Sequence, residues 1–428
     1  MLVDFGLLYF SIDVWYDLCW ESDTKTFPMK KILSLSLLLL NSIFTLNAGN
    51  PTELVDGNNT FAFNLFHELK SQEAENQFFS PFSISTALAM TYAGARNETE
   101  REISRTMHFP RNEKFHSAFK MLMDGLNIGT EGKVKLNIAN GLWAQQDFRF
   151  LDSYLDLVTS NYGSELKNVN FKADNDREIA RKDINSWVEH KTNDKIKNLV
   201  QPGNLNSMTK LVLVNAIYFY SEWARPFEKE ATDPKDFFRM SGSAVMVPFM
   251  NQTGSYNYYE DAAVKAIEIP YADNKSSMVI FLPNEKDGIT EFEDSFDYKY
   301  YQIITGSFSN NSVRLSIPKF KTNARVDLGK TLSDMGMPMA FTTAADFSGM
   351  TGRRDLYISA VIHQAFINVD EKGTEAAAAT AVMMVVSMAP PRSDGKIFIA
   401  DHPFLFCIKD NQSGSILFMG KIMNPSAM

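Results

Sequence analysis

Few side chains in this sequence are spaced for catalysis or metal binding. The chain has two cysteines, Cys19 and Cys407, so it contains no C-x-x-C pair. Six histidines are scattered along it without metal-ligand spacing: His67, His108, His116, His190, His363 and His402. The G-x-S-x-G, H-E-x-x-H and glycine-rich phosphate-loop patterns are absent from the sequence. A Ser/His/Asp catalytic triad is left as an alternative, because its residues are close in space and need not be close in sequence. Otherwise the sequence predicts no enzyme activity, cofactor or metal.

A stretch of small side chains near the C-terminus is unusual for its place. Residues 371–382 read EKGTEAAAATAV, follow the strand-like run ISAVIHQAFINV and lead into MMVVSMAPPRSDG. Taken alone, the four alanines favour a short helix. In a strand, by contrast, alternate small residues share one face: Thr374, Ala376, Ala378 and Thr380. The sequence of this segment alone does not explain why small residues stand between a strand and a proline-rich loop.

The order of the other patterns predicts an α+β fold. Amphipathic helical patterns such as DREIARKDINSWVEHKTNDKIKNLV dominate the first half. Strand-like runs such as KLVLVNAIYFY and SVRLSIPKF dominate the rest, and FLFCI and ILFMGKI indicate a hairpin around the polar turn KDNQSGS. We therefore expect helices packed on large mixed or antiparallel sheets.

Composition and charge are those of an ordinary globular protein. The chain has 428 residues, of which 45% are hydrophobic and 22% charged, with a formal net charge of −9. Proteins that bind nucleic acids usually carry a positively charged patch and a basic net charge, which this negative net charge does not indicate. We therefore expect no nucleic-acid partner.

The first 48 residues are expected to be absent from the mature protein. The segment 29–48, MKKILSLSLLLLNSIFTLNA, has a basic start, an apolar stretch and Ala48 at a plausible cleavage point, which predicts a signal peptide. Its apolar core is short for a membrane span. Residues 1–28 are interpreted as an upstream extension with Met29 as the true start; a genuine 28-residue extension is the alternative. We expect secretion, or a periplasmic or cell-surface location in a bacterium.

The mature chain is then expected to be one domain, residues 49–428, with Cys407 as its single thiol. Packing alone, without an internal disulfide, would hold its core. Cys407 lies in the apolar run FLFCI and is interpreted as a small buried hydrophobic residue.

Long motifs occur in the order and at the distances of one family: FFSPFSISTALAM (78–90), KLVLVNAIYFYSEWARPF (210–227), DFSGM (346–350), VDEKGTEAAAATAV (369–382), ADHPFLFCI (400–408) and ILFMGKIMNP (416–425). Through them the chain resembles the serpins, the serine protease inhibitor superfamily, over essentially all of 52–425. The resemblance implies three β-sheets, about nine helices and an exposed reactive loop at about 371–396. It also implies that a protease cleaves the loop, which then inserts into the central sheet and carries the acylated protease with it.

The resemblance assigns roles to individual residues. The shutter, where the central strands part, would be formed by Ser80, Ser83, Asn215 and His363. The breach, where insertion begins, would contain Trp223 and Lys319, and Lys319 would form an ion pair with Glu371. The hinge would comprise Glu371, Gly373, Thr374, Glu375, Ala376, Ala377, Ala378, Ala379 and Thr380. In the inserted state that the resemblance implies, the small residues on one face would enter a packed interior without overpacking. Glu375 would then lie on the solvent face, and Gly373 would be a hinge free of Cβ restriction. Small residues at the hinge are typical of inhibitory members rather than of non-inhibitory carriers or chaperones.

The bond that a protease would cleave is left open. Counting fifteen residues from Gly373 leads to Ser387, but the segment that follows is longer than usual, which permits a displaced cut. The candidate bonds are Ser387–Met388, Met388–Ala389 and Arg392–Ser393. The apolar neighbourhood AVMMVVSMA favours an elastase-, chymotrypsin- or cathepsin-like target, whereas Arg392 would suit a trypsin-like one. Cysteine proteases are a further alternative.

The expected partner is a serine protease, held in a covalent acyl-enzyme complex, and the protein itself is expected to be a monomer. The helix that carries a heparin site in relatives corresponds to residues near 111–127. Here that segment has only Arg111, Lys114 and Lys120 as bases. We therefore expect no strong heparin site.

Overall fold

The computed structural model describes residues 51–70, 76–127, 134–272, 274–374 and 395–427. The expected upstream extension, residues 1–28, and signal peptide, residues 29–48, lie outside these residues. The same holds for part of the hinge and for every candidate cleavage residue: Glu375, Ala376, Ala377, Ala378, Ala379, Thr380, Ser387, Met388, Ala389, Arg392 and Ser393.

The described chain forms ten α-helices: α1 (Pro51–Lys70), α2 (Pro81–Gly94), α3 (Asn97–Thr106), α4 (Phe115–Asn127), α5 (Asp152–Tyr162), α6 (Asp174–Lys191), α7 (Ile289–Ser295), α8 (Tyr298–Gly306), α9 (Leu328–Asp334) and α10 (Ser348–Thr351). It also forms fifteen strands: β1 (Gln77–Phe79), β2 (Val134–Gln145), β3 (Glu165–Val169), β4 (Leu211–Glu222), β5 (Asp233–Phe238), β6 (Ala244–Glu260), β7 (Val264–Pro270), β8 (Ser276–Pro283), β9 (Ser309–Pro318), β10 (Phe320–Asp327), β11 (Ile358–Val369), β12 (Gly373–Thr374), β13 (Lys396–Ile399), β14 (Phe404–Asp410) and β15 (Ile416–Ile422). Within these residues, no helix is both long enough and apolar enough to cross a bilayer.

Six strands form what we call the central sheet, in the order β10–β11–β12–β4–β2–β3. The pairs β10–β11 and β4–β2 are antiparallel, and the pair β2–β3 is parallel. In the middle of the sheet, β11 and β4 also pair directly with each other, in parallel, from Ile358 opposite Leu211 to Phe366 opposite Tyr218. The two-residue strand β12 therefore separates them at one end only.

The remaining nine strands form a second sheet. Eight of them follow the order β1–β15–β14–β8–β7–β6–β9–β13, and β5 pairs with β6. The long strand β6 joins two parts of this sheet, because residues 257–260 pair with β7 and residues 249–258 pair with β9. The α+β fold is confirmed. The described strands make two hydrogen-bonded sheets where three were expected, because β6 runs continuously through both parts of the larger one.

Two apolar clusters lie on opposite faces of the central sheet. Along β4, Leu213 and Ile217 belong to the larger cluster, which also contains most of α2. Val212 and Val214 belong to the smaller one, which contains Ile184 and its neighbours on α6. Neighbouring residues of β4 alternate between the two clusters because successive side chains of a strand point to opposite faces. A strand that entered this sheet would therefore face the larger cluster on one side and α6 on the other.

Helix α2 lies inside the larger cluster, with nearly all its residues buried. A helix that is apolar all round is expected in such a place. Ser80 caps its N-terminus, because the Ser80 hydroxyl oxygen accepts the Ser83 backbone N–H, and Pro81 occupies the first helical turn. The capping serine is thereby held at the buried end of the helix, next to the central sheet.

Cys407 lies in β14 with 2% of its surface exposed. Burial raises the pKa of its thiol to about 12, so the reactive thiolate is disfavoured at neutral pH. The interpretation of Cys407 as a small buried hydrophobic residue is confirmed.

Candidate functional site

The candidate site is the open end of the central sheet, where the start of the hinge is already in place. The strands β11 and β12 form a tight hairpin, in which Asp370 and Gly373 exchange both backbone hydrogen bonds, at 2.9 and 3.2 Å. Thr374 then pairs with Val369 of β11 on one side and with Ser221 of β4 on the other. The strand β12 is antiparallel to both neighbours. We call the surroundings of Gly373 and Thr374 the hinge seat.

Gly373 passes too close to β4 to carry a side chain. A Cβ on this residue would lie 2.1 Å from the Ser221 carbonyl oxygen and 2.6 Å from the Glu222 Cα. Its φ is not positive, so the seat does not require left-handed backbone. Glycine was expected here for conformational freedom, whereas the structure gives a steric reason: the hinge backbone lies directly against that of β4.

Thr374 is fully buried in the hinge seat. Its hydroxyl is 2.7 Å from the Tyr271 hydroxyl, so the buried polar group has a hydrogen-bond partner. The Tyr271 ring in turn stacks on Trp223, with ring centroids 4.7 Å apart and an interplanar angle of 4°. The alternation of small residues predicted that the Thr374 side chain points into the interior, and the structure shows it buried there. Tyr271 is the last residue of the ordinary strand-like run IEIPY, and no pattern in the sequence singled it out.

Trp223, expected at the breach, donates two hydrogen bonds to the turn between β11 and β12. Its backbone N–H donates to the Lys372 carbonyl at 2.8 Å, and its indole Nε1–H donates to the Asp370 carbonyl at 2.9 Å. The Phe227 backbone N–H donates to the Glu371 carbonyl at 2.7 Å. Three successive carbonyls of the turn therefore have partners on the segment that follows β4.

The expected ion pair between Lys319 and Glu371 is present. The Lys319 Nζ lies 2.7 Å from one Glu371 carboxylate oxygen, and the Thr232 hydroxyl donates to the other at 3.0 Å. The Glu371 side chain is only 8% exposed, so this pair is less screened than a surface pair. Burial raises the pKa of the Glu371 carboxyl, but the hydrogen bonds from Lys319 and Thr232 outweigh it and leave the pKa lowered. The carboxylate is thus held in its charged form beside the hinge.

The four residues expected at the shutter meet at one buried site between α2 and the central sheet: Ser80, Ser83, Asn215 and His363. Asn215 and His363 are direct partners across the β4–β11 pair. The Asn215 side-chain amide donates to the Ser83 hydroxyl at 2.5 Å, and the Ser80 hydroxyl donates to the Leu417 carbonyl at 2.6 Å. The cluster therefore ties both central strands to the helix beneath them.

The hydrogen bonds also define the protonation of His363. The Ser80 backbone N–H donates to His363 Nε2 at 3.1 Å, so Nε2 must be an acceptor and Nδ1 carries the single proton. Nδ1 then donates to the Asn215 side-chain oxygen. This neutral form agrees with burial, which lowers the pKa of His363 to about 3.

Asn140 of β2 is a member of this cluster that sequence reasoning missed. Its side-chain oxygen accepts a hydrogen bond from the Asn215 amide, and its own amide nitrogen is buried without a partner among the described residues. The feature of the sequence that could have indicated Asn140 is its place in the strand-like run KLNIANGLWAQ, since asparagine is uncommon within strands.

His363 should make the protein less stable as the pH falls. The unfolded chain takes up a proton on this residue below about pH 6.5, whereas the folded protein does so only near pH 3. Its contribution is therefore complete above about pH 6.5 and is lost progressively as the pH falls toward about 3. We expect His363→Gln to reduce the pH dependence of the unfolding free energy by up to about 1.4 kcal/mol per pH unit between about pH 5 and 6.5.

Urea unfolding of the two proteins at several pH values in that range measures the slope. A variant with the same slope as the parent chain would mean that His363 takes up its proton over the same pH range in the folded and the unfolded protein, and the lowered pKa would be wrong.

Three kinds of comparison place this geometry among known proteins. A family model described as "Serpin (serine protease inhibitor)" matches residues 56–425. Human Serpin B3 is 38% identical over 392 residues, which cover 87% of this chain and 99% of that protein. Human leukocyte elastase inhibitor is 38% identical over 383 residues, which cover 87% of this chain and all of that protein.

Solved structures agree with the sequence relatives. The crystal structure of uncleaved ovalbumin superposes with a TM-score of 0.81 at 31% identity and covers 88% of this chain and 100% of that one. Human thyroxine-binding globulin in complex with its hormone gives a TM-score of 0.79 at 31% identity, with the same coverage of 88% and 100%. The family thus includes proteins named for inhibition and a protein named for binding a small molecule.

Proposed function

The chain belongs to the serpin family, and from this premise we propose that it is a secreted, inhibitory serpin that traps serine proteases. In this proposal the protease attacks the loop after β12 and forms an acyl-enzyme. The new end of the loop then enters the central sheet between β4 and β11. The observation that carries the proposal is the hinge seat, in which Gly373 and Thr374 already pair with β4 and Thr374 also pairs with β11.

The register of the hinge supports continued insertion. Each further residue along the loop would pair one residue earlier along β4, because β12 and β4 are antiparallel. Ala376 and Ala378 would then face the buried side next to Phe219 and Ile217, and Thr380 would reach the shutter residue Asn215. Small side chains at these positions limit the cost of entering a packed interior, which is typically about 1–3 kcal/mol per overpacked site.

We propose an elastase-, chymotrypsin- or cathepsin-like target. The residues around Ser387 and Met388 are apolar and uncharged, and one relative is named as an inhibitor of leukocyte elastase. The proposal also includes secretion through the segment 29–48 and a monomeric protein without strong heparin activation. Of the bases near α4, Lys120 is paired with Asp124 at 2.7 Å.

A panel of purified proteases tests this function directly. We expect an SDS-resistant complex with an elastase- or chymotrypsin-like enzyme, together with release of the C-terminal peptide. The mass of that peptide identifies the cleaved bond, since a cut after Ser387 releases a peptide that begins at Met388. Complex formation only with a trypsin-like enzyme and a peptide beginning at Ser393 would move the specificity to Arg392.

Cleavage by every protease without any SDS-resistant complex would contradict inhibition. It would favour the alternative of a non-inhibitory member, for which thyroxine-binding globulin is a named precedent. A complex formed only with cysteine proteases would keep the trapping mechanism and change the target class.

A further inference from the structure

The end of the central sheet opposite the hinge seat is closed by two hydrogen bonds outside the regular ladder. Here the segment 208–210 leads into β4, Tyr357 immediately precedes β11, and Ser359 is the second residue of β11. The Lys210 backbone N–H donates to the Ser359 hydroxyl oxygen at 2.8 Å. The Tyr357 hydroxyl donates to the Met208 carbonyl at 3.0 Å. We call these two contacts the closing bonds.

A β-bulge explains why a side chain takes part. The pairing of β11 with β4 shifts by one residue at this point, from Ile358 opposite Leu211 to Ala360 opposite Val212. Ser359 is the extra residue of the bulge and has no direct partner on β4. The Lys210 backbone N–H therefore donates to the Ser359 hydroxyl oxygen, whereas in a regular ladder it would donate to a backbone carbonyl oxygen.

A groove lies beside the closing bonds. It has a volume of about 560 Å³, and Asn204, Met208, Phe341, Tyr357 and Ser359 are among the residues that line it. Met208 is 66% exposed at its rim. The groove thus presents the side chains of Met208, Phe341 and Tyr357 to an extended segment that reaches this end of the sheet.

The register of β12 predicts which segment would arrive there. Gly373 and Thr374 pair with Glu222 and Ser221. The same antiparallel register brings Met384 to Leu211, at the start of β4. The next residues of the loop are Val385, Val386 and Ser387, and they would come to lie beside 208–210. These residues would separate the partners of both closing bonds.

We propose that the closing bonds are the last barrier to insertion of the cleaved loop and that the groove then receives Val385, Val386 and Ser387. This inference rests on the proposed inhibitory function. The two valines supply apolar surface for Met208 and Tyr357. The Lys210 amide, released from Ser359, would pair with the backbone of the inserted strand. Tyr357 and Ser359 are thus residues that set how fast the final part of the strand enters, without touching the protease.

Two synthetic peptides separate this barrier from the rest of insertion. A peptide with the sequence of residues 375–387, EAAAATAVMMVVS, spans the whole gap, whereas one with residues 375–382, EAAAATAV, ends before the closing bonds. We expect Tyr357→Phe and Ser359→Ala each to accelerate annealing of the long peptide to the intact protein about threefold to tenfold. That range corresponds to the loss of one ordinary hydrogen bond. Annealing of the short peptide should keep its parent rate.

The matched control for Tyr357→Phe is Tyr259→Phe, which removes a hydroxyl whose partner is the Asp261 carboxylate on the other sheet. It should leave the rates of both peptides unchanged. Annealing is followed with a fluorescent label on each peptide and by the melting temperature of the product.

The outcomes distinguish the two levels of the proposal. Equal acceleration of both peptides would mean that the variants loosen the whole sheet, and unchanged rates for both would mean that the closing bonds are no barrier; either result overturns the inference and leaves inhibition intact. If neither peptide anneals or stabilises any form of the protein, the proposed function fails as well.

Discussion

Proteolytic cleavage between residues 375 and 394 is expected to raise the melting temperature of the protein by at least about 10 °C. The reason lies in the contrast between the two ends of the central sheet. At the hinge seat, Gly373 and Thr374 already pair with β4, and Thr374 also pairs with β11, whereas β4 and β11 pair directly with each other from residues 211 and 358 to residues 218 and 366. A severed loop can continue the short strand through the whole sheet.

The size of the effect follows from the number of new interactions. A full-length strand would add on the order of ten net backbone hydrogen bonds at about 0.5–1.5 kcal/mol each, together with the burial of its inward side chains. Ten kcal/mol corresponds to roughly 10 °C or more in a domain of this length. Differential scanning calorimetry of the intact and the nicked protein measures the difference.

A protein nicked in the exposed turn 284–287, with the loop intact, is the appropriate comparison, since cleavage alone adds no strand. If loop cleavage left the melting temperature unchanged or lowered it, the loop does not enter the sheet, and the proposal of trapping by insertion would be abandoned.

Replacement of Thr374 by arginine is expected to convert the inhibitor into a substrate. Thr374 is fully buried beside Tyr271, and an arginine there would place a charged group in an apolar site without a partner, which costs several kcal/mol. In the intact protein the arginine can reach solvent if the start of the hinge leaves its seat, whereas a fully inserted strand keeps residue 374 between β4 and β11. A differential cost of about 3 kcal/mol shifts the partition between insertion and release of the protease by roughly 100-fold. We therefore expect normal cleavage of the loop and almost no SDS-resistant complex.

Glu375→Arg provides the matched control, because it introduces the same side chain one residue later, on the face that alternation directs away from the core. This variant should still trap the protease. The ratio of inhibitor consumed to protease inhibited measures both variants. Efficient trapping by Thr374→Arg would show that residue 374 leaves its seat during inhibition, contrary to the proposed mechanism.

The sequence predicted some parts of this site from elementary rules and others only through resemblance. Alternation along a strand correctly placed Thr374 on the buried face. The ion pair of Lys319 with Glu371 and the cluster around His363 came from family motifs, because their members are far apart in the chain. No local pattern connects residues that lie on different strands.

Several features could not be read from the sequence because they depend on how strands meet. Tyr271, which follows β7, reaches the hinge seat, and Asn140 of β2 reaches the shutter. Tyr271 has no distinctive neighbourhood in the chain, and the polar residue Asn140 in an apolar run does not by itself indicate its partner. The bulge at Ser359 arises from the relative shift of β11 and β4. Gly373 was recognised as a hinge, but the contact of its backbone with Ser221 is visible only in three dimensions.

The direct contact between β4 and β11 has a consequence for which chains this protein can accept. These strands run in the same direction, and same-direction ladders are slightly weaker per residue than opposed ones. A strand that enters between them in the opposite direction replaces one parallel ladder by two antiparallel ones. The sheet is therefore expected to favour an inserted strand of this direction, whatever the sequence of that strand. Any extended segment of that polarity with small alternate side chains, including the loop of a neighbouring copy, would therefore compete for the same vacancy.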